Sequence, residues 1–270
     1  NRGRDELFAR AGAESGSGHV RVVPRGWRER RDPRLRLAGW RADLAAASAL
    51  PGAKAVAPRA RAQVLLAMGN HVVPVEIAGV DAAAEPRAYR FVRNVVTGRY
   101  LHPGEQGAVV VGKAVAERLE SEVGDEILVS AVGKGGDIQS GMLRIVGVVA
   151  TGSEEIDASI AQVAMEEVEH LTGLPGAGEV TVVLEDWRSA DAARDLLARR
   201  VAAGDDVMTW EEINPELKGH LKQDAAMSRI ISGIILLIVF LGVASAQLAA
   251  VLDLDMAAIG ELGLDRVALA

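Results

Sequence analysis

Cysteine is absent from all 270 residues, which excludes disulfides, CxxC redox chemistry and thiolate metal sites without choosing a compartment. Aromatic residues are scarce at 3%, and a net charge of −7 gives no general polyanion-binding signature, so no nucleic-acid partner is expected. No low-complexity tract or solenoid repeat is visible. Charge itself is missing from one place, the twenty-three residues Ile230 to Leu252. As a helix at about 1.5 Å per residue this stretch spans about 35 Å, enough for a hydrocarbon core of about 30 Å. Its fourteen Ile, Leu, Val or Phe side chains favour insertion by roughly 4 to 8 kcal/mol before Ser232, Ser245 and Gln247 are subtracted. Buried helices of soluble cores are usually shorter. A transmembrane helix is therefore expected over 229–252, behind a large extramembrane domain. Within it Gly242, Ala246 and Ala249 recur at helical spacing with Ser245 adjacent, a small-residue face that would let a second membrane helix pack closely.

The part ahead of the span is long enough to bury a core and to hold more than one lobe. Residues 2–14 form a polar helical pattern broken at Ser15-Gly16-Ser17-Gly18. Val20, Val22 and Val23 mark a strand stopped at Pro24, and residues 40–50 a helix ending at Pro51-Gly52. Val64–Leu66 and Val72–Ile77 are strands on either side of Gly69-Asn70. The middle is strand-rich: Ala108–Val111, a helix over Ala114–Ser121, then a hairpin of Ile127–Val132 and Leu143–Val149 with glycines at its tip. A short helix over Ala164–Leu171 follows. Then come a strand at Glu179–Leu184, a helix over Ser189–Ala202 capped by Ser189, and a strand at Asp206–Thr209. Residues 211–228 read as a polar helix running into the span. The expected class is α+β: two βαβ-like units flank a β-rich insert, followed by one transmembrane helix.

Three patterns suggest chemistry. Gly107 to Ala114 (GAVVVGKA) nearly matches a phosphate-binding loop, but three successive valines prefer a pleated strand, and Ala114 has no hydroxyl for Mg²⁺. A strand-to-helix turn is the favoured reading. The five histidines (His19, His71, His102, His170, His220) show no metal-ligand or catalytic spacing and read as structural or exposed. Glu154, Glu155 and Asp157, and Glu166, Glu167 and Glu169, read as solvated acidic surface. The most unusual stretch is Arg25–Arg41, with seven arginines and two tryptophans in seventeen residues. Arginine and tryptophan together can engage lipid headgroups or nucleic acid, and a net-negative chain beside a membrane argues against the latter. A solvated basic connection near the bilayer is the first reading. Contact with lipid or a partner through Arg25, Trp27, Arg28, Arg30, Arg31, Arg34, Arg36 and Trp40 is the second. No catalytic, cofactor-binding or metal-binding residue is assigned.

Short motifs in a definite order carry a resemblance. Gly18-His19-Val20 opens the first strand, Gly79-Val80-Asp81 closes an early one, and Gly98-Arg99-Tyr100-Leu101 follows. Val109-Val110-Val111-Gly112-Lys113 leads to Ala116 and Leu119, then to Val123-Gly124-Asp125; Arg144-Ile145-Val146-Gly147-Val148 leads to Thr151-Gly152 and Asp157; Thr209-Trp210 precedes the stalk. In these the chain resembles, over nearly its whole length, the bacterial ABC-transporter permeases that include FtsX, MacB, LolC and LolE. The resemblance implies a periplasmic domain between the first two of four membrane helices. Residues 1–75 and 177–228 would form a porter-like α/β subdomain with stalk helices, 76–176 a sabre-like insert, 229–252 the membrane helix, and 253–270 the start of a cytoplasmic segment. The protein would then sit in the inner membrane, with residues 1–228 mainly periplasmic. Any first membrane helix or targeting signal would precede Asn1.

The same resemblance implies a dimer with a second permease copy or homologue, driven by an ATPase that is fused or separate. ATP and Mg²⁺ would be bound there and not by this chain, which would be non-catalytic. Its stalks, 2–14 and 211–228, would pass motion to the periplasmic domain for lipoprotein release or related export. Three departures stand out, the first being one expected span where the family has four. Lys218, Lys222 and Arg229 precede the span while only Arg266 follows it, which by charge alone would put the N-terminal side in the cytoplasm. The tip of the 127–149 hairpin is also short for an arm that recruits a periplasmic carrier. The other classes are a single-span anchored binding or scaffold module without an ATPase, and an anchored hydrolase, for which no nucleophile, base or metal set is present.

Overall fold

In chain order the elements are strand β1 (Val20–Pro24), helices α1 (Trp27–Arg30) and α2 (Trp40–Ser48), strands β2 (Ala53–Met68) and β3 (His71–Val80), helix α3 (Glu85–Ala88), strands β4 (Val95–Gly98) and β5 (Ala108–Gly112) and helix α4 (Lys113–Leu119). There follow strands β6 (Glu126–Val132) and β7 (Ile138–Val149), helix α5 (Glu154–Asp157), strand β8 (Ala161–Ala164), helix α6 (Met165–Thr172), strand β9 (Glu179–Leu184), helix α7 (Ala190–Ala198), strand β10 (Asp205–Thr209) and helix α8 (Trp210–Ile213). The structure is a computed structural model and describes residues 18–213 and Phe240. Most of the 229–252 segment, including Gly242, Ser245, Ala246 and Ala249, and the stalks at 2–14 and 214–228 lie outside the described residues. Among the described residues no helix is long and apolar enough to cross a membrane.

Among the described residues ten strands form one mixed sheet with two differently built halves. In the first half the order is β10-β1-β9-β2, with β1 antiparallel to both its neighbours and β2 antiparallel to β9. Each βαβ unit therefore has a strand of the other between its own two: β1-α2-β2 encloses β9, and β9-α7-β10 encloses β1. This is the split βαβ arrangement. Helix α2 packs on β2 and β9, and α7 on β10 and β1. Strands β1 and β9 are buried along their whole length, and valine dominates both, interrupted by Arg21 in β1 and Thr181 in β9.

The second half closes on itself. Strand β2 pairs with β3 and β6, β6 with β7, β7 with β5, β5 with β8, and β8 with β3. Alternation decides what faces inward: Val64, Leu66, Val75, Ile77, Val109, Val111, Ile127, Val129, Leu143 and Ile145 fill one core with Val115 and Leu119 of α4 and Val168 and Leu171 of α6. Outside this ring, Val72, Ala67, Leu128 and Met142 stand side by side on four neighbouring strands by register, three of them exposed. The β6–β7 connection is Gly133–Asp137, closed by a hydrogen bond from Gly133 N to Asp137 O at 2.8 Å.

Sequence and structure differ at several points. Strand β2 begins at Ala53, eleven residues ahead of the Val64 expected from the apolar run, because β9 supplies a ladder to its alanine-rich first half. The limits 75/76 and 176/177 fall inside β3 and shortly before β9. Ser189 does not cap α7 with its side chain: its Oγ donates to Asp186 O at 2.6 Å, while Asp186 Oδ1 accepts from Arg188 N at 3.1 Å. That helix ends at Ala198, not Ala202, and residues 199–204 form the connection to β10. The phosphate-loop look-alike is strand β5 running into α4, where a Cβ at Gly112 would collide with the Asp157 carbonyl.

Ile77 is fully buried at the centre of the ring. Ile77→Ala is expected to cost roughly 2 to 5 kcal/mol, read as a lower urea midpoint at unchanged slope.

Candidate functional site

On one face of the first half-sheet the strands carry charge instead of valine. Register places Arg21 (β1), Glu179 and Thr181 (β9), and Arg59 and Arg61 (β2) on the same side. Arg21 Nη1 lies 2.8 Å from Glu179 Oε2, and Arg61 Nε donates to Glu179 Oε1 at 2.9 Å. Arg61 Nη1 reaches Glu76 Oε1 at 2.5 Å. Arg59 pairs with Glu85, which also accepts from Gln162 Nε2 at 3.0 Å; Gln162 Oε1 accepts from the Tyr100 hydroxyl at 2.7 Å. The Tyr89 ring lies 4.0 Å from the Arg59 guanidinium, and its hydroxyl donates to Thr181 Oγ1 at 2.7 Å. Arg21, Arg59, Glu85 and Glu179 are each 4% exposed or less. Burial, the largest influence, pushes the Glu179 carboxyl up, but Arg21, Arg61 and Arg59 together outweigh it and hold it at about 2.

At the edge of the same sheet the Arg-Trp stretch meets the end of the described chain. Helix α8 follows β10 directly, and Trp210 N donates to His19 O at 3.0 Å. Glu212 Oε2 accepts from Thr209 N at 3.0 Å, and its Oε1 lies 3.3 Å from Arg28 Nη2 and 3.8 Å from Arg194 Nη1. Arg31 Nη1 donates to the Ile213 carbonyl at 3.0 Å while its guanidinium lies over the Trp27 ring at 4.4 Å. Trp27 itself packs on Val23, Met208 and Ile213. Arg31 adopts the left-handed conformation (φ 48), unfavourable for a residue with a Cβ, and the amide it turns back caps α1 on Trp27 O at 2.8 Å. Indole, guanidinium and carbonyl thus form a clamp on the last turn before residue 214.

The eight residues singled out in this stretch do not form one surface. Trp27, Arg28 and Arg31 build the clamp. Arg34 pairs locally with Asp32, its Nε at 3.1 Å and Nη2 at 3.0 Å. Arg36 turns inward and donates to the carbonyls of Pro33 and Leu35. Trp40, with Arg41 stacked on it at 4.5 Å, lines a groove of about 530 Å³ opposite Glu166 and Glu169 of α6. Arg25 and Arg30 are exposed.

The remaining groups are structural. His19 Nδ1 accepts from Leu184 N at 2.9 Å, and burial keeps the ring neutral by lowering its pKa to about 4. Asp157 is not solvated surface as expected: it is buried, and its Oδ1 accepts from both Thr151 N and Thr151 Oγ1 at 2.7 Å. Glu167 Oε2 accepts from Gly107 N at 2.9 Å. Among the described residues no three His, Asp or Glu side chains are grouped to hold a metal ion.

Residues 4–200 match the family model described as MacB-like periplasmic core domain. Two curated relatives are the lipoprotein-releasing system transmembrane proteins LolC of Xylella fastidiosa strains 9a5c and Temecula1. Each is 27% identical over 235 residues, covering 83% of this chain and 56% of the relative. The chain thus spans about half the length of the curated relatives it matches. Among solved structures, the extracellular domain of the noncanonic ABC-type transporter YknZ from Gram-positive bacteria is 17% identical at a TM-score of 0.47, covering 70% of this chain and 99% of that one. The periplasmic region of MacB from Actinobacillus actinomycetemcomitans is 15% identical at a TM-score of 0.49, covering 79% and 98%.

Because the folded Glu179 carboxyl titrates below its ordinary value of 4.5, its contribution is present above that pH and is lost as pH falls toward about 2. Glu179→Gln leaves two arginines short of their counter-charge and is expected to cost roughly 3 to 5 kcal/mol at neutral pH. In chemical denaturation the gap from wild type should narrow steadily as pH is lowered from about 5.

Proposed function

The chain belongs to the MacB-like periplasmic core domain family, and from that premise we propose that it is part of an ABC-transporter permease subunit whose periplasmic domain receives ATP-driven motion. The task is lipoprotein release or a related export step. The observation that carries the reading is the family match over residues 4–200; the LolC relatives, which are named as lipoprotein-releasing system proteins, support the choice of cargo class. The uncharged 230–252 segment supports a membrane anchor directly behind the domain. ATP and Mg²⁺ belong on a fused or separate ATPase, and a second permease copy or homologue completes the dimer. Residues 1–228 are assigned mainly to the periplasmic side of the inner membrane.

The clamp supports a mechanical role. Motion delivered through residues 214–228 enters the sheet at Ile213. There Arg31 and Trp27 hold the last turn, and β10 hands the load to β1 and then to the ion network on β9 and β2. A load path needs an input joint that does not fray, and the clamp joins main chain to side chain at that point.

The deciding experiment purifies the full-length native protein from membranes in mild detergent, identifies co-purifying chains by mass spectrometry and assays ATP hydrolysis on the same sample. A stoichiometric or fused ATPase is expected, with lipoproteins travelling alongside. Finding neither overturns the reading in favour of an anchored binding module. Two variants test the coupling once transport is measured. Ala225→Pro should abolish transport while leaving the domain folded, since proline breaks a continuous stalk helix. Trp27→Ala with Arg31→Ala should reduce transport at least tenfold, with an ATPase rate that no longer responds to cargo; unchanged transport would remove the clamp from the path.

A further inference from the structure

We propose that Asp43 and Asp205 share one proton, and that this acid–carboxylate pair is a pH-sensitive latch on β10, the strand by which the described chain leaves the sheet. Asp43 stands in the first turn of α2 and is fully buried. Its Oδ1 accepts from Ala202 N at 3.1 Å, tying α2 to the α7–β10 connection. Its Oδ2 is buried without a hydrogen-bond partner, and so is Oδ2 of Asp205, the first residue of β10. Both residues are fastened to Ala202, Asp43 through the amide just named and Asp205 by donating its own N–H to the Ala202 carbonyl at 3.1 Å. Two ionised carboxylates are both acceptors and cannot satisfy one another; one proton between them turns repulsion into a short O–H···O⁻ bond and satisfies both orphaned oxygens.

The surroundings say where the proton sits. Asp43 Oδ1 already accepts the Ala202 amide. Burial, then the Asp43 charge, raises the Asp205 carboxyl to about 6, with Asp206 adding in the same sense. Basic side chains on the packed elements are directed elsewhere. Arg41 of α2 lies over the Trp40 ring, and Arg194 of α7 is committed to Asp191, Asp195 and Glu212. Arg199 and Arg200 on the connection and Arg25 after β1 are exposed. Asp205 therefore carries the proton and donates to Asp43.

The latch sits where the main chain is weakest. Among the described residues strand β10 is at the edge of the sheet and pairs with β1, and Asp205 stands opposite Pro24, which has no N–H to offer the ladder. The α2 contact substitutes for the missing bond. As pH rises past about 6, Asp205 ionises, like charges face each other and residues 202–205 loosen from α2. The proposal stands or falls apart from the transport reading, since its test needs only the folded chain.

The test is thermal unfolding and hydrogen exchange of the full 270-residue chain in mild detergent at about pH 5 and about pH 7.5. Asp205→Asn supplies a permanent donor to Asp43. It should match wild type at the lower pH and exceed it at the higher by roughly 2 to 4 °C. His19, which binds fewer protons folded than unfolded, stabilises in the opposite sense over the same window, so the wild-type-to-variant difference is the quantity that counts. Amides of residues 201–206, referenced to those of the β2–β3 hairpin, should exchange faster in wild type at the higher pH. That ratio decides the matter in wild type alone if the variant fails to fold. A variant offset equal at both pH values, or an unchanged exchange ratio, overturns the proposal. So does a rise in wild-type Tm on adding about 1 mM Ca²⁺ or Mg²⁺ at the higher pH that Asp205→Asn abolishes, because a cation would then bridge the pair.

Discussion

Glu179 is the group on which the first half of the sheet depends. A carboxylate that is 3% exposed cannot remain ionised unless cations surround it, and three arginines from two neighbouring strands act on it together. Their pairing is possible only with β9 between β1 and β2 in the observed register. Hydrophobic burial would accept several arrangements of such valine-rich strands, whereas the charges accept very few. Arg59 and Glu85 extend the same requirement to the segment over that face, and Tyr89 and Gln162 complete its hydrogen bonding. What looks like an energetic liability thereby specifies the order in which four strands assemble.

Much of the architecture was legible from residue patterns. Strands β5, β6, β7 and β9 followed from runs of Val, Ile and Leu, and helices α2, α4 and α6 from apolar residues, mostly alanine in α2, at a spacing near 3.6. What escaped were β4 and β8, four residues each, and the first half of β2, whose Ala, Lys and Pro give no strand signal without a neighbour. The ion network left one unread trace: Arg59, Arg61 and Gln63 alternate along β2 and mark a polar strand face, yet their partners come from three other elements. The Arg-Trp stretch was conspicuous in composition, but its role was hidden by distance. Glu212 and Ile213 lie 184 and 182 residues from the arginines that hold them. No local pattern encodes such a contact.

Clamp, edge strand and ion network form a continuous series from Ile213 inward. Each link uses a different interaction: guanidinium to carbonyl, indole against aliphatic side chains, a main-chain ladder, then buried charge. Packed side chains and ladders tolerate small displacement, while paired charges in a low-dielectric interior resist separation strongly. Stiffness therefore increases with depth, which suits a domain proposed to move as a body when its stalk is driven.

Strand β2 spans 16 residues and belongs to both halves of the sheet, its Arg59 and Arg61 facing one way and its Val64 and Leu66 the other. An insertion or deletion of one residue near Ala62 would leave one half in phase and turn the other inside out, exposing either the ring core or the arginines. Length variation here is thus quantised. Descendants of this chain can lengthen freely at Gly69-Asn70 or Gly133–Asp137, but at the middle of β2 they can change only by even steps or by a bulge that absorbs the odd residue.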